Sequence, residues 1–512
     1  MAATTWADAY LVSPTSTGGA PPTTTTRSLS SRRPVVFDFS TIDADSIPDE
    51  VWEEVQRSER EEIEKRDAFL KECEQSMYEA GRRLAAKMPS VTLRNGSRMP
   101  LIGLGTWKAE RGEVKRAVEY AVRAGYRHID CASVYQNEDE VGDAIGYVLE
   151  RGLVEREELF VCSKVWNTDH AAARVRKACE ASLKALKVDY LDLYLIHWPV
   201  TGNVGDEVSP SVRETWEAME SLVRDGLVRS IGTSNFSAKK LADIASYATV
   251  QPSVCQVEVH PYHRNDALLS FCADRGIHVT AFSPLGSPDS ESIFPRAVPD
   301  AVLMRDPRVL RVAERTGKNV GQVLIRWALQ HGTSVIPKST NPSRIAGNLD
   351  VLDWELSASD YALLSSMAFQ MRMVNGGMWL NPRGPYRTME DLWDEPETAM
   401  TSEAFERDLA AATATDALEG GTAGNTDETT TAPVPQLFSP KGRAKSEARS
   451  ESNSESHTTD NAARRLSHPI ALSPANSSEG SENDYHSVTE SPAVPSLTEK
   501  VASFSKWMGF SR

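Results

Sequence analysis

The sequence lacks the features that mark a membrane protein, a disulfide scaffold or a zinc module. Its 512 residues include no apolar run of about 18, the length that a membrane-spanning helix needs. The six cysteines are scattered, with no C-x-x-C pair and no zinc-ligand spacing, so we expect reduced thiols and no metal site. These absences predict an intracellular protein that does not enter a membrane.

The chain also has no surplus of positive charge. It contains 56 Lys and Arg residues and 72 Asp and Glu residues, and the formal net charge is −16. A nucleic-acid-binding protein normally carries a basic patch, so we expect no nucleic-acid partner. The dinucleotide fingerprint G-x-G-x-x-G is missing as well, because the stretch "GLGTW" at 103–107 lacks its third glycine. This absence disfavours a Rossmann dehydrogenase.

Composition divides the chain into four parts. Residues 1–46 are rich in Ala, Ser, Thr and Pro, and we interpret them as a disordered leader. A transit peptide is the alternative, which leaves plastid or mitochondrial import open beside the cytoplasm. Residues 47–88 carry a broken apolar stripe among many charges, which predicts a helical extension that packs on the main domain or on a protein partner. The Ser/Thr-rich residues 396–512 cannot bury enough apolar area to offset chain entropy, so we predict a disordered tail.

The remaining residues, 89–395, alternate between two patterns. Apolar, β-branched runs such as "LFVCSKVW" and "YLDLYLIHW" are followed by helical stretches, several of which end on glycine. Near-continuous apolar strands indicate burial on both faces and therefore a parallel sheet. Eight strand–helix units predict an α/β fold, the (β/α)8 TIM barrel, with partly helical or disordered extensions at both ends.

Polar residues recur at the carboxyl ends of the predicted strands. They are Asp130, Lys164, His197, Ser234, Asn235, Gln256 and Lys338. In a barrel these ends converge on one face, where active sites lie. We therefore expect Asp130, and Tyr135 shortly after it, to lie beside Lys164 and His197.

These four side chains suit one chemical task. Tyr135 is a weak acid, and a nearby ammonium such as that of Lys164 stabilises its phenolate. Asp130 can hold Lys164 in place and keep it protonated, while His197 can donate a hydrogen bond to a carbonyl oxygen. The set can protonate an oxygen as hydride reaches the attached carbon. No side chain supplies hydride, so a nicotinamide cofactor is required.

Several motifs resemble the aldo-keto reductase family in the correct order over about residues 89–370. They include "GYRHIDCASVYQNEDEVG", "VCSKVWNT", "LDLYLIHWP", "IGTSNF" and "VIPKSTNPSRIAGN". The resemblance implies that Asp130, Tyr135, Lys164 and His197 form the family's catalytic tetrad, with Tyr135 as the general acid. It also implies that Trp107 and Trp198 line the substrate pocket, and that the segment after the last barrel helix, up to residue 395, forms a C-terminal substrate loop over it.

The same resemblance assigns the cofactor contacts. The residues that it places on the nicotinamide and the pyrophosphate are Ser234, Asn235, Gln256, Phe282, Leu285 and Ser287. NADP carries an additional 2′-phosphate, and Lys338, Ser339 and Arg344 resemble the family's clamp for it. Asn348 matches an adenine contact. The resemblance to the phosphate clamp makes NADPH the expected cofactor.

Three functions are compatible with the fold and the residues that the sequence predicts. The first is an NADPH-dependent reductase that converts a small aldehyde or ketone into an alcohol. The second is an NADPH-binding regulatory subunit on the same barrel, whose extensions would contact a protein partner. The third, a Schiff-base aldolase that uses Lys164, is disfavoured by the matches at Tyr135, Ser234 and Asn235.

Overall fold

Eight parallel strands form the centre of the protein. A computed structural model describes residues 49–396 and 401–419 of the chain. The strands are β3 (Leu104–Gly105), β4 (His128–Asp130), β5 (Phe160–Val165), β6 (Leu191–Ile196), β7 (Val228–Ser234), β8 (Val254–Glu258), β9 (His278–Phe282) and β10 (Ser334–Val335). Each strand pairs with the next one in the sequence.

The last strand closes the sheet onto the first. The Val335 N–H donates to the Leu101 carbonyl, and the Gly103 N–H donates to the Val335 carbonyl, both at 2.8 Å. Every position of β5 and β6 is buried, as expected for strands covered on both faces. The predicted (β/α)8 barrel is therefore confirmed. A short antiparallel hairpin, β1 (Ser90–Thr92) and β2 (Arg98–Pro100), precedes it.

Helices surround the strands and extend beyond them. They are α1 (Asp49–Lys87), α2 (Val114–Ala124), α3 (Glu138–Glu150), α4 (Ala172–Leu186), α5 (Val212–Arg224), α6 (Ala238–Tyr247), α7 (Asp266–Asp274), α8 (Pro307–Thr316), α9 (Val320–Gln330), α10 (Pro342–Leu349), α11 (Ala358–Ser365), α12 (Met389–Trp393) and α13 (Ser402–Glu419). Within the described residues, no helix is both long enough and apolar enough to span a membrane.

Helix α1 occupies most of the predicted helical extension and packs on α2 through its last turns. At Gly81 a Cβ atom would lie 1.9 Å from the Arg123 carbonyl oxygen, so the close approach of the two helices requires glycine. The Tyr78 hydroxyl donates to the Leu153 carbonyl at 2.8 Å. The carboxyl-terminal part of α1 thus belongs to the barrel surface, whereas residues 60–69 are exposed where their side chains are described.

The structure differs from the sequence prediction in the segment that follows the barrel along the chain. The predicted disordered tail begins at residue 396, but α13 lies within it and Phe405 is buried. Asp408 is also buried and forms an ion pair with Arg308. The predicted boundary at 395 is therefore too early, because two inward-facing residues on one helical turn suffice to dock this segment. The predicted leader 1–46 and the tail from residue 420 lie outside the described residues.

Candidate active site

The four predicted catalytic residues meet at the carboxyl ends of neighbouring strands. Asp130 is the last residue of β4, and Lys164 lies one residue before the end of β5. His197 directly follows β6, and Tyr135 ends a short 3-10 turn after β4. Parallel strands bring these ends to one rim of the barrel, so residues distant in sequence become neighbours.

Lys164 is the centre of this group. Its Nζ donates to Asp130 Oδ1 at 2.6 Å, to the Cys131 carbonyl at 2.8 Å and to the Tyr135 hydroxyl at 3.3 Å. The other carboxylate oxygen of Asp130 accepts from Gln256 Nε2 at 2.7 Å. The Lys164 side chain is fully buried, so this network holds an ammonium inside the protein.

The charge of Lys164 depends on Asp130. Burial lowers the pKa of the ammonium, but the carboxylate of Asp130 outweighs burial and the net shift is upward. Lys164 therefore stays protonated at neutral pH and provides a fixed positive charge beside the phenol.

The sequence predicts that Lys164 makes the Tyr135 phenol more acidic, whereas in the structure the pKa of Tyr135 is raised. Burial raises this pKa above its ordinary value, and Lys164 counteracts only part of the rise. The phenol is therefore a neutral, protonated group at rest. Lys164 favours the phenolate relative to a phenol buried without a cation, which matters only as the proton leaves.

His197 stands edge-on to Tyr135, with ring centroids 5.8 Å apart, and edge-on to Trp166 at 5.1 Å. Burial, followed by the charge of Lys164, lowers the pKa of His197 well below its ordinary value. The imidazole is therefore neutral and carries one N–H. A neutral ring can donate a hydrogen bond to a carbonyl oxygen without adding a second buried charge.

Ser234 ends β7 next to this group, and Asn235 follows it directly. Asn235 has a left-handed backbone, with φ of 64°, and its Nδ2 donates to the His197 carbonyl at 2.9 Å. The same Nδ2 lies 3.1 Å from Ser234 Oγ. Asn235 Oδ1 is buried and has no hydrogen-bond partner among the described residues. A buried acceptor without a donor is costly, and the amide N–H of a nicotinamide fits it. Gln256, predicted to contact the same amide, donates its Nε2 to Asp130.

The loop after β9 carries the predicted stacking and pyrophosphate residues. Phe282 ends the strand with a partly exposed ring, Leu285 is partly exposed, and Ser287 Oγ accepts from Ser283 Oγ at 3.2 Å. Sequence reasoning missed two residues that fasten this loop. Lys108, after β3, forms an ion pair with Asp289 at 3.1 Å. The two are 181 positions apart, and no local pattern in the sequence links them.

The predicted phosphate clamp lies at the start of α10, after β10. Ser339 Oγ accepts from the Asn341 N–H at 3.1 Å, and the Asn341 side chain caps the helix by accepting from the Arg344 N–H. Lys338 is partly exposed, Arg344 is exposed in the first helical turn, and Asn348 is buried in the second. Backbone N–H groups and cations at a helix N-terminus suit a phosphate. The structure therefore groups Lys338, Ser339 and Arg344 on one segment.

Aromatic rings lie beside the tetrad and pack on one another. Trp107 lies 6.5 Å from Tyr135, measured between ring centroids, and Trp198 lies 5.9 Å from Trp379. Trp379 also stands edge-on to Trp166 at 5.6 Å. It belongs to residues 371–395, which we name the C-terminal wall. Trp379 thus lies in one aromatic cluster with the predicted pocket residue Trp198; its signal in the sequence was a tryptophan in the segment after the last barrel helix.

The C-terminal wall is fitted closely to the barrel. Gly376 has a φ of 74°, and a Cβ atom there would lie 2.9 Å from the Trp198 ring. The Tyr386 hydroxyl donates to the Pro199 carbonyl at 2.7 Å, and Trp393 Nε1 donates to the Asn375 carbonyl at 2.8 Å. These contacts fix the wall against Trp198 and Pro199, which follow β6, and Trp379 reaches Trp166, the ring beside His197.

Comparison with known proteins agrees with this arrangement. The aldo/keto reductase family model matches residues 101–368. The chain is 47% identical to aldo-keto reductase family 1 member A1-A of Danio rerio over 298 residues, which are 56% of this chain and 91% of that protein. It is 43% identical to an aldo/keto reductase of Synechocystis sp. over 319 residues, covering 60% of this chain and 97% of that protein.

Two solved structures share the fold. The aldo-keto reductase of Bombyx mori in complex with NADP has a TM-score of 0.53 and 39% identity, over 57% of this chain and 96% of that one. The aldose reductase of Schistosoma japonicum has a TM-score of 0.51 and 35% identity, over 62% of this chain and 100% of that one. The strand-end tetrad, the closed barrel and these matches lead to one conclusion: the chain belongs to the aldo/keto reductase family.

Proposed function

We propose that the chain is an NADPH-dependent oxidoreductase that reduces the carbonyl group of an aldehyde or ketone to an alcohol. The observation that carries this proposal is the Lys164 ammonium, which lies 2.6 Å from Asp130 Oδ1 and 3.3 Å from the Tyr135 hydroxyl. A proton donor beside a buried, anchored cation is what protonation of a developing alkoxide requires.

Each residue of the tetrad has a separate role in the proposed reduction. The bound cofactor supplies the hydride that adds to the carbonyl carbon. The Tyr135 hydroxyl transfers its proton to the carbonyl oxygen as negative charge develops there, and Lys164 stabilises the phenolate that remains. The neutral His197 ring donates a hydrogen bond to the same oxygen and orients it. Solvent then returns a proton to Tyr135, which balances the reaction.

We also propose NADP(H), rather than NAD(H), as the cofactor. Lys338 and Arg344 provide positive charge on the α10 segment, which suits a 2′-phosphate. Asn235 Oδ1 suits the nicotinamide amide, and the partly exposed face of Phe282 suits its ring. The similar protein of Bombyx mori was solved in complex with NADP.

For the substrate, we propose carbonyl compounds with an apolar or aromatic substituent. The rings near Tyr135 and His197 are Trp107, Trp166 and, behind it, Trp379. Tryptophan rings bury large apolar areas and stack on other rings, so they favour such substituents over extended polar ones.

Turnover of the purified chain tests the proposal. NADPH consumption is measured with a panel of aromatic and aliphatic aldehydes, with NADH and the Tyr135→Phe variant as controls. We expect consumption of NADPH that depends on the aldehyde and is lost in the variant. Absence of turnover with every aldehyde, despite NADPH binding, would contradict the reductase assignment.

That last outcome would favour an NADPH-binding regulatory subunit. One observation favours this second function: α1 exposes Ile63 and Phe69, at 49% and 62%, on a charged surface. Exposed apolar side chains on a long helix suit a protein partner. A Schiff-base aldolase is disfavoured by burial, because Lys164 is fully buried and already donates to three oxygens.

A further inference from the structure

The helix α13 is attached to the barrel by a buried ion pair. Asp408 Oδ2 accepts from Arg308 Nη2 at 2.7 Å, and both side chains are almost completely buried. Arg308 already pairs with Asp306, its helix cap on α8, through Nε and Nη2. Asp408 is therefore a second carboxylate on a guanidinium that has one already. A buried carboxylate is costly unless each oxygen is used, so the role of its other oxygen matters.

That other oxygen holds the backbone three residues before the C-terminal wall. Asp408 Oδ1 accepts from the Ala368 N–H at 2.9 Å. Residue 368 is also the last residue that the family model matches. Asp408 thus reaches back from α13 to the point at which the chain leaves α11 and the family pattern ends.

Aromatic packing reinforces this contact. The Phe405 ring lies 4.9 Å from the Phe369 ring and 6.1 Å from the Tyr262 ring, measured between centroids. Tyr262 donates through its hydroxyl to Asp306 at 2.7 Å, and its carbonyl accepts from the Met371 N–H at 2.5 Å. One turn of α13 therefore contacts residues 368 and 369 both by a hydrogen bond, from Asp408, and by ring packing, from Phe405.

The next residues lead to the substrate pocket. The N–H groups of Met373 and Val374 each donate to the Glu258 carboxylate at 2.7 Å, at the end of β8. Gly376 then turns the chain against Trp198, and Trp379 follows beside it. From Asp408 to Trp379 there is a continuous series of buried or partly buried hydrogen bonds and ring contacts.

We propose that α13 is a positioning element of the active site. Its residues Phe405 and Asp408 fix the start of the C-terminal wall, and through it they fix Trp379. The proposal rests on the proposed reductase function. It states that residues beyond the family pattern set how well the pocket accepts large aromatic carbonyl compounds, while small aldehydes that do not reach Trp379 are unaffected.

The test compares two isosteric substitutions in the full chain. Asp408→Asn removes the buried charge, whereas Glu406→Gln makes the same chemical change at an exposed position of the same helix. For each variant, kcat and KM are measured with 2-naphthaldehyde and with propanal, together with the Kd for NADPH. Phe405→Leu, at the buried neighbour of Asp408, is a second variant that replaces Asp408→Asn in the test if the latter does not fold.

We expect Asp408→Asn to reduce kcat/KM for 2-naphthaldehyde by about tenfold, mainly through KM. The values for propanal and the Kd for NADPH should stay within about twofold, and Glu406→Gln should match the wild type. In a Trp379→Ala background, Asp408→Asn should change the ratio of the two substrates by less than about twofold, because the wall residue on which it acts is gone.

Two results would overturn the proposal. The first is an unchanged substrate ratio in Asp408→Asn and Phe405→Leu, or an equal loss for both aldehydes, which a merely structural role produces. The second is the same change in ratio in the Trp379→Ala background. Failure of the wild type to consume NADPH with either aldehyde is a different result, because it contradicts the proposed function itself.

Discussion

Replacing Lys164 with methionine removes the cation at the centre of the site and leaves Asp130 buried without it. At an N–O distance of 2.6 Å the attraction of the pair is about 6 kcal/mol for an effective dielectric constant of about 20. Part of that attraction offsets the desolvation of both groups. The expected loss in the free energy of unfolding is therefore about 3–5 kcal/mol, the usual result of breaking a buried pair.

Urea unfolding at neutral pH measures this loss, with Lys177→Met, at an exposed lysine of α4, as the matched control. Adding Asp130→Asn to Lys164→Met should restore most of the stability, because the orphaned charge is then gone. A loss below about 1 kcal/mol, or one that the second substitution does not repair, would refute this reasoning.

Two further predictions concern the cofactor and acid stability. Arg344→Ala should raise the Kd for NADPH by about tenfold and leave that for NADH unchanged, as fluorescence titration can measure; equal effects on both cofactors would contradict a phosphate contact. Burial lowers the pKa of His170 and of His278 to about 4, from an ordinary value of 6.5. The unfolded chain therefore binds more protons between these values, so stability should fall by up to about 3 kcal/mol per histidine as the pH drops from 6.5 to 4. Urea midpoints across that range test this, and a slope that His278→Gln leaves unchanged would contradict it.

The sequence was sufficient for the barrel and for the grouping of the tetrad. Near-continuous apolar strands indicated a parallel sheet, and Asp130, Lys164 and His197 all stood at or next to predicted strand ends. Because strand order in this fold follows chain order, a position along the sequence translates directly into a position on the rim. This is why residues 67 positions apart can be placed together from the sequence.

Other features depend on contacts that no local pattern contains. The direction of the pKa shift of Tyr135 follows from the depth of its burial, and the Lys108–Asp289 pair joins distant loops. Helix α13 was missed because the average composition of the tail outweighed Phe405 and Asp408, whose partners are remote in sequence. Average composition identifies segments that cannot form a core, but it does not identify a short segment that docks onto an existing one.

The most direct measurement of the central claim is the effect of Tyr135→Phe on turnover and on cofactor binding together. The account predicts that kcat falls by at least about 100-fold, because the proton donor is lost, while the Kd for NADPH stays within about twofold. Tyr194→Phe is the matched control, since that buried hydroxyl has no hydrogen-bond partner among the described residues, and it should retain full activity. Wild-type turnover by Tyr135→Phe, or a loss of turnover that only mirrors lost NADPH binding, would contradict the role given to this phenol.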